Sequence, residues 1–431
     1  MGIRLVGGRA IDPGSEFDEV CDVYIEDGLI VGLGRAPRGF RARREIVVEG
    51  LVIAPGLVDL GCHLREPGFE HKATIASESR AAVRGGVTLL CATPDTHPIL
   101  DTPAVAEHIH QRASAARGAR VKCIGALTVG LKGEVLAEMH ALKAAGCVAI
   151  SNLERTIEDT AVLKNAMAYA ASAGLTIFLH SEDYWLGRQG YMHEGPTSTR
   201  LGIPGIPRAA EIIGLYRDLT LIADTGVRAH LCRITTGDAL KSIAEARRAQ
   251  LPVTADTSLI NLLYTDEDVG GYDANFHVRP PLRAARDRTA LKTGIKRGTL
   301  DAISAYHEPH DTDAKAAPFA LTEAGASTLD TFLSTLLGLV AEGAFDLRTA
   351  LRCASLAPNQ ILGLSGGRLC IHAPADLCVF DPTARWEVSA RTLSSQGKNN
   401  PLTGISQIGR NQLTMVGGSI VFDALGKKRS A

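Results

Sequence analysis

The side chains best suited to chemistry in this sequence come directly after short apolar runs. Histidines and carboxylates at such positions could hold a divalent metal or move a proton, and arginines could bind an anion. His63 and His180 follow two separate runs, GLVDLGC and LTIFL. The other polar residues near the ends of such runs are Arg65, Asp95, Asn152, Glu182, Asp183, Arg233, Asp256, Tyr306, His307 and His310. A fold that gathers the ends of these runs would form one polar site of mixed charge.

Apolar runs with the length of buried strands alternate with amphipathic segments through the middle of the chain. The eight runs begin at Leu57, Val87, Val121, Cys147, Leu175, Arg228, Pro252 and Asp301. Eight apolar strands, each followed by a helical segment, predict an α/β fold with a parallel (β/α)8 TIM barrel, in which the C-terminal strand ends meet at one face. An open doubly wound sheet is the alternative, but its Gly-rich phosphate loop is absent after the first strand.

Both ends of the chain are predicted to form hairpin-rich β-structure. Residues 1–54 contain short strand-like runs broken by Gly, Pro and Asp, and the same style resumes in GRLCIHAPADLCVFDP and QLTMVGGSIVFD. We expect the two ends to pair into one small sheet domain, which brings the termini together. The predicted division is a composite β-sheet domain of residues 1–54 plus 365–431 and a barrel of residues 55–364.

Composition argues against several classes of function. Lys and Arg number 46 against 47 Asp and Glu, so there is no excess of positive charge for binding nucleic acid. No apolar run approaches the ~20 residues that span a bilayer, and the N-terminus lacks the apolar core of a signal peptide. The nine cysteines are odd in number and form no CxxC pair, which favours buried thiols in a reducing compartment. We therefore expect a cytoplasmic protein without nucleic-acid or membrane partners.

A series of longer motifs runs in one order along nearly the whole chain. It begins with PGLVDLGCHLREPGFEHKATIASESRAAVRGGVTLL (55–90) and continues with ATPDTHP (92–98), LTIFLHSED (175–183) and AYHEPHDTDAKAAPF (305–319). PADLCVFDP and KNNPLTGISQIGRNQLTMVGGSIVFD extend it to the C-terminal end. In this order the motifs resemble the amidohydrolase superfamily, and specifically dihydroorotases. The resemblance implies a barrel of the amidohydrolase type with a sheet domain from both chain ends.

The resemblance also implies a metal centre, and most of its ligand positions are changed in this sequence. Family members hold one or two divalent metals with a His-x-His pair, a carboxylate or modified lysine after strand four, histidines after strands five and six, and an aspartate after strand eight. Those positions here are Gly61, His63, Asn152, His180, Arg233 and Tyr306. Only His63 and His180 remain as ligands, whereas a zinc site needs about four. We therefore expect no metal, no other cofactor and no catalytic residue, with His63 and His180 as the residual metal candidates.

Six residues are expected to line what remains of the substrate and metal pocket: His63, Arg65, Asp95, His180, Arg233 and Tyr306. By the resemblance, Arg65 matches the arginine that contacts the substrate carboxylate, whereas Asp95 replaces an asparagine and would repel an anion. Alternatively, Arg65 could pair with an acid at the rim, and His180 could be a hydrogen-bonded histidine of the barrel. The permanent cation of Arg233 needs partners, and we expect them among Asp95, Glu182, Asp183, Asp256 and the Tyr306 hydroxyl.

The resemblance suggests a specific role. Some bacteria carry a dihydroorotase-like subunit that lacks metal ligands and hydrolase activity, and that associates with aspartate transcarbamoylase and supports its assembly in pyrimidine biosynthesis. We expect this chain to be such a subunit: not an enzyme, and a homo-oligomer within a hetero-oligomer. Two alternatives remain open. One is an active cyclic amidohydrolase with a reduced zinc site on His63 and His180, and the other is a regulatory module that binds an anion between Arg65 and Arg233.

Overall fold

The computed structural model describes residues 2–426 of the chain. Its strands are β1 (Ile3–Ile11), β2 (Asp18–Glu26), β3 (Leu29–Leu33), β4 (Arg44–Val47), β5 (Val52–Pro55), β6 (Leu57–Cys62), β7 (Val87–Ala92), β8 (Arg120–Ala126), β9 (Cys147–Ser151), β10 (Thr176–Leu179), β11 (Met192–His193), β12 (Gly205–Ile206), β13 (Ala229–Leu231), β14 (Val253–Ser258), β15 (Ala302–Ser304), β16 (Leu377–Glu387), β17 (Ser406–Val416) and β18 (Ser419–Asp423). Its α-helices are α1 (Ile75–Arg84), α2 (Pro103–Ala116), α3 (Met139–Ala144), α4 (Thr160–Ala173), α5 (Tyr184–Gly187), α6 (Pro196–Leu201), α7 (Arg208–Thr225), α8 (Gly237–Arg248), α9 (Leu259–Leu263), α10 (Ala285–Arg297), α11 (Phe332–Ala341), α12 (Leu347–Leu351) and α13 (Ala357–Ile361).

Eight parallel strands form a nearly closed barrel in the order β6, β7, β8, β9, β10, β13, β14 and β15. Every residue of β6 and β7 is buried, because the barrel interior covers one face of these strands and helices cover the other. Each of the eight apolar runs forms one barrel strand, so the prediction of a (β/α)8 barrel is confirmed. The two longest connections also hold small additional elements, namely α5, β11, α6 and β12 after β10, and α9 after β14.

A buried carboxylate joins the first and last strands of the barrel. Asp59 lies in β6 and is fully buried. Its Oδ1 accepts hydrogen bonds from the Ser304 hydroxyl at 2.7 Å and from the backbone N–H of Tyr306 at 2.9 Å. Its Oδ2 accepts from the backbone N–H of His307 at 3.2 Å. Because these donors lie in β15 and directly after it, Asp59 fixes the start of the final loop against β6.

Strands from both chain ends form a second sheet beside the barrel. β16 pairs antiparallel with β5 from the N-terminal end, while β17 and β18 continue the sheet on one side and β1, β2 and β3 on the other. Ile11, Val52 and Phe380 belong to the same buried cluster as the barrel helices, so one face of this sheet packs on the barrel. The predicted pairing of the two chain ends is confirmed, and the boundaries at residues 54 and 365 stay a prediction.

The nine cysteines are free thiols, and six of them are buried. Burial raises the pKa of the Cys62 and Cys91 thiols, which disfavours the thiolate needed for nucleophilic attack or metal binding. Cys62 belongs to the layer between barrel and helices, as expected of a core thiol. No helix within residues 2–426 is long and apolar enough to cross a membrane.

Candidate site at the barrel mouth

The six predicted pocket residues come together at the C-terminal ends of the barrel strands, which we call the mouth. They are His63, Arg65, Asp95, His180, Arg233 and Tyr306. Several strands end here in a left-handed residue: Arg65 (φ 63°), Leu153 (φ 53°), Arg233 (φ 56°) and Tyr306 (φ 47°). Residues other than glycine seldom adopt this conformation, and such residues tend to gather at functional sites.

Arg233 lies at the centre of the mouth, with a side chain that is 6% exposed. Its Nη1 donates to the Glu154 carboxylate and, at 2.9 Å, to the backbone carbonyl of Arg279. Its Nη2 lies 3.3 Å from Nε2 of His63, and its Cζ lies 4.2 Å from the centre of the Tyr306 ring. Burial opposes the charged form, but the nearby Glu154 outweighs burial and raises the pKa of Arg233. The mouth therefore contains a permanent, internally paired cation.

The carboxylate that pairs with Arg233 is Glu154, which sequence reasoning missed. It lies two residues beyond Asn152, the position where the family has a carboxylate, and the left-handed turn at Leu153 separates the two. Burial raises the pKa of Glu154 and Arg233 lowers it, with a net downward shift. The available signal was an acid in the short loop that follows a barrel strand.

The four acids predicted to pair with Arg233 bind other groups. Within the described chain, none of the four forms an ion pair with the Arg233 guanidinium. They are Asp95, Glu182, Asp183 and Asp256. Asp95 lies against His63, Glu182 binds Arg279, and Asp183 caps α5. Asp256 instead accepts hydrogen bonds from the backbone N–H of Arg233 and from the Tyr306 hydroxyl, each at 2.6 Å. The prediction that Arg233 has polar partners is therefore correct, but the predicted acids are wrong, and the Tyr306 hydroxyl bonds Asp256 rather than the guanidinium.

His63 and Arg65 form a second charged group with two carboxylates. Nδ1 of His63 lies 2.7 Å from Asp95, and Arg65 donates to Glu308 at 3.2 Å and lies 3.6 Å from Asp95. Burial lowers the pKa of His63 and Asp95 raises it, with a net upward shift. Burial raises the pKa of Asp95, but His63 outweighs burial and holds it well below its usual range. Arg65 thus pairs with acids at the rim, as the alternative interpretation predicts.

His180 lies at the same mouth without a hydrogen bond. Both of its ring nitrogens are buried and lack a partner within residues 2–426, and its Nε2 is 3.8 Å from Glu182. Together with Gly61, Glu154 and Arg233 it lines a cavity of about 20 Å³, which has room for about one water molecule. His180 is therefore not the hydrogen-bonded histidine of the alternative interpretation, and in its neutral form one ring nitrogen keeps an unused lone pair.

The residues at the mouth, as they are arranged, do not fit the metal centre that the resemblance implies. Within residues 2–426 no group of three or more His, Cys, Asp or Glu side chains is arranged to hold a metal ion. A Cβ on Gly61 would lie 2.6 Å from Cε1 of Tyr306, so this ring fills the space of the first missing ligand. The amide of Asn152 is bonded to the Thr128 hydroxyl and the Arg155 carbonyl. A metal could bind here only after side chains of the mouth rearrange.

A larger cavity of about 400 Å³ lies beside the mouth and is lined by His310, Lys72 and Lys315 among others. His310 lies 3.2 Å from Arg65, and its Nε2 lies 2.8 Å from the Ala324 carbonyl. Burial lowers the pKa of His310 to about 2, so its ring is neutral and its unpaired Nδ1 can accept a hydrogen bond. Burial also lowers the pKa of Lys315 to about 8. The cavity has the volume of a small-ligand pocket, but Lys72 already pairs with Glu323 and Lys315 already donates to backbone carbonyls.

Comparisons with known proteins agree with this barrel and its motifs. The dihydro-orotase-like family model matches residues 50–239. A dihydroorotase-like protein of Pseudomonas putida is 46% identical over 420 residues, which cover 97% of this chain and 99% of that protein. The chain belongs to the dihydroorotase-like family. Other members include a dihydroorotase-like protein of Pseudomonas aeruginosa, 44% identical over 98% of this chain and 100% of that protein, and a dihydroorotase of Anaeromyxobacter sp. (strain K), 42% identical over 97% of both chains.

Solved structures confirm the amidohydrolase type of the fold. An L-hydantoinase (dihydropyrimidinase) from Arthrobacter aurescens superposes with a TM-score of 0.88 at 21% identity, over 98% of this chain and 96% of that protein. A D-hydantoinase superposes with a TM-score of 0.82 at 19% identity, over 98% of this chain and 95% of that one. The barrel and the composite sheet of this dihydroorotase-like chain are therefore shared features.

The comparisons contradict two of the expectations drawn from the changed ligand positions. The sequence predicts a chain that is not an enzyme and that holds no cofactor. Relatives 42% identical over nearly the full length are named dihydroorotase, and the structural neighbours are hydantoinases. The family resemblance itself implies an enzyme that holds one or two divalent metals. The prediction of a non-enzyme and the prediction of no cofactor are therefore wrong.

Proposed function

We propose that this dihydroorotase-like chain is a subunit that associates with aspartate transcarbamoylase and supports its assembly in pyrimidine biosynthesis. The contrast between the barrel and its mouth carries the proposal. The barrel is complete in its strands, in the hydrogen bonds by which Asp59 joins the first and last strands, and in the composite sheet beside it. At the mouth, by contrast, charged side chains pair with one another around Arg233. A chain retained for an interface needs the whole fold that presents its surface.

The proposal includes a cytoplasmic location and a homo-oligomer within the hetero-oligomer. Two relatives from Pseudomonas species that are named dihydroorotase-like, rather than dihydroorotase, support it. Their identity to this chain extends over nearly its whole length, so any surface used for assembly has a counterpart in them.

The test is co-expression of the full chain with the aspartate transcarbamoylase of the same genome. We expect one species in size-exclusion chromatography with light scattering, heavier than either protein alone, and a smaller transcarbamoylase assembly when the chain is omitted. A hydantoinase of the same fold serves as the matched control and should elute separately. Separate elution of this chain at micromolar concentrations, with an unchanged transcarbamoylase mass, would contradict the proposal.

A second candidate function is reversible hydrolysis of a cyclic amide such as dihydroorotate, with a divalent metal in a reduced site. The ring of His180 favours it, because within residues 2–426 no hydrogen bond occupies the one nitrogen lone pair that a neutral imidazole can offer to a metal. Ring opening of dihydroorotate should be measured while zinc is titrated, with His180→Ala as the matched variant. Turnover that depends on zinc and on His180 supports this candidate. No turnover, or turnover unchanged by His180→Ala, counts against it.

A further inference from the structure

The opposite end of the barrel, which we call the floor, contains a cavity of about 190 Å³. It lies at the N-terminal ends of β6, β7 and β8, the end of the barrel away from the mouth. Its wall is formed by Thr88 and Lys122 from the strands, by Asn359 from α13 and by the loop of residues 365–367. The cavity is therefore distinct from the candidate site.

Lys122 brings a positive charge into the floor cavity. Its neighbours Val121 and Cys123 pack between the barrel and the helices, so the alternation of β8 directs Lys122 into the barrel. The side chain is half-buried, and within residues 2–426 its ammonium group has no hydrogen-bond or ion-pair partner. Arg120 also lines the cavity, but it pairs with Asp376 at 3.1 Å. The uncompensated charge in the cavity is therefore that of Lys122, and a half-buried, unpaired ammonium attracts an anion.

The loop of residues 365–367 lines the same cavity, and its backbone N–H groups have no acceptor within residues 2–426. A Cβ on Gly366 would lie 2.5 Å from Oδ1 of Asn359, and a Cβ on Gly367, which has φ 81°, would lie 2.6 Å from Cα of Leu356. Only glycine therefore lets this loop lie directly on the helical segment beneath it. The backbone N–H groups of residues 365–367 donate to no acceptor of the described chain. Successive free N–H groups form concave sites that suit an oxyanion.

A neighbouring cavity of about 330 Å³ shares Arg120 and Lys122 with the floor cavity. It is also lined by Arg117, His110 and Ser114, and no acidic side chain of the described chain lines it. Arg117 is exposed and has no ion-pair partner in residues 2–426. The positively charged region thus continues from Lys122 into this neighbouring cavity, which a longer anion could occupy.

We propose that the barrel floor binds a small soluble anion that contains two linked phosphate groups. One phosphate group lies between Lys122 and the N–H groups of residues 365–367, and the second lies in the neighbouring cavity near Arg117. A tetrahedral phosphate has enough acceptor oxygens to bond an ammonium and several N–H groups at once, whereas a carboxylate has two. The site is independent of the mouth and of the proposed subunit role.

The experiment is titration calorimetry of the full chain with inorganic pyrophosphate. We expect saturable binding that weakens at least ten-fold in Lys122→Met, which keeps the apolar stem. Lys241→Met is the matched control, because Lys241 is an exposed lysine paired with Asp238, and it should bind as the wild type does. Arg117→Ala, an exposed change, should weaken pyrophosphate binding while leaving orthophosphate binding unchanged.

Several outcomes would overturn the proposal. They are the absence of saturable binding up to millimolar pyrophosphate, equal binding by Lys122→Met, and sulfate binding as tight as that of pyrophosphate. Binding to vesicles that contain phosphatidylglycerol, without binding to soluble pyrophosphate, would also overturn it, because the source would then be a lipid headgroup. If Lys122→Met does not fold, the Arg117→Ala comparison decides, and equal loss for both anions counts against the proposal.

Discussion

Replacing Arg233 with methionine removes the cation at the centre of the mouth and keeps most of the apolar stem. The side chain of Arg233 is 6% exposed and that of its partner Glu154 is 23% exposed. Removing one partner of a fully buried ion pair costs about 3–5 kcal/mol, since the other charge is left unpaired. The partial exposure of Glu154 allows water to screen it, so we expect a loss of about 2–3 kcal/mol in the free energy of unfolding.

This loss should be visible as a lower melting temperature. Unfolding entropy of about 2.1 cal/mol/K per residue over 431 residues amounts to about 0.9 kcal/mol/K, so the expected fall is about 2–3 °C. Scanning calorimetry measures the fall directly. Glu154→Gln added to Arg233→Met should recover most of it, because no unpaired carboxylate then remains at the mouth.

Arg188→Met provides the matched control for this substitution. The Cζ of Arg188 also lies 4.2 Å from the centre of an aromatic ring, that of Trp185, but here both side chains are exposed. An exposed cation–π contact contributes about 0.5–1 kcal/mol, so the expected fall is about 1 °C or less. Equal falls for Arg233→Met and Arg188→Met would refute the reasoning, since burial and the paired carboxylate would then have no effect.

Three further predictions concern the same end of the barrel. Gly61→Ala places a Cβ 2.6 Å from the Tyr306 ring and should lower the free energy of unfolding, measured in urea, by about 1–3 kcal/mol. Adding Tyr306→Ala to the same chain should remove most of that loss. Because the pKa of His63 is raised and that of Asp95 is lowered, their pair stabilises the fold most above about pH 4 and below about pH 6.5. This contribution should decline as pH rises through the raised pKa of His63. In Asp95→Asn, the free energy of unfolding measured in urea at pH 6 and at pH 9 should show no such decline. Asp59→Asn turns an amide NH₂ toward N–H donors and should lower the free energy of unfolding, measured in urea, by about 2–3 kcal/mol. A loss below about 0.5 kcal/mol would show that barrel closure does not need the carboxylate.

The barrel could be predicted because its strands are buried on both faces. Such strands appear in the sequence as continuous apolar runs, and the helices between them have their own period. Asp59 was the exception that sequence reasoning did not use. A single acid inside the run GLVDLGC suggests an internal hydrogen-bonding role. Its partners lie in β15 and directly after it, more than 240 positions away along the chain, and only the barrel brings them together.

The positions of the mouth residues could be predicted, but their partners could not. A residue at the C-terminal end of a barrel strand must lie at the mouth, whatever its side chain does. Which acid contacts Arg233 depends instead on the loop conformation. The acid that does so, Glu154, directly follows the left-handed residue Leu153. The sequence places Glu154 outside the aligned ligand position, so comparison by position alone assigns it no role.

The charges at the mouth nearly balance one another. The cations and acids that meet there are Arg65, Arg233, Asp95, Glu154 and Glu308. Two permanent cations face three carboxylates, and the raised pKa of His63 supplies the remaining positive charge while this residue is protonated. A divalent metal entering the mouth would bring charge that these groups already provide, so it must compete with Arg233 for Glu154 or displace a proton from His63. Metal titrations should therefore be run on wild type and Arg233→Met together, because any competition would appear as tighter metal binding in the variant.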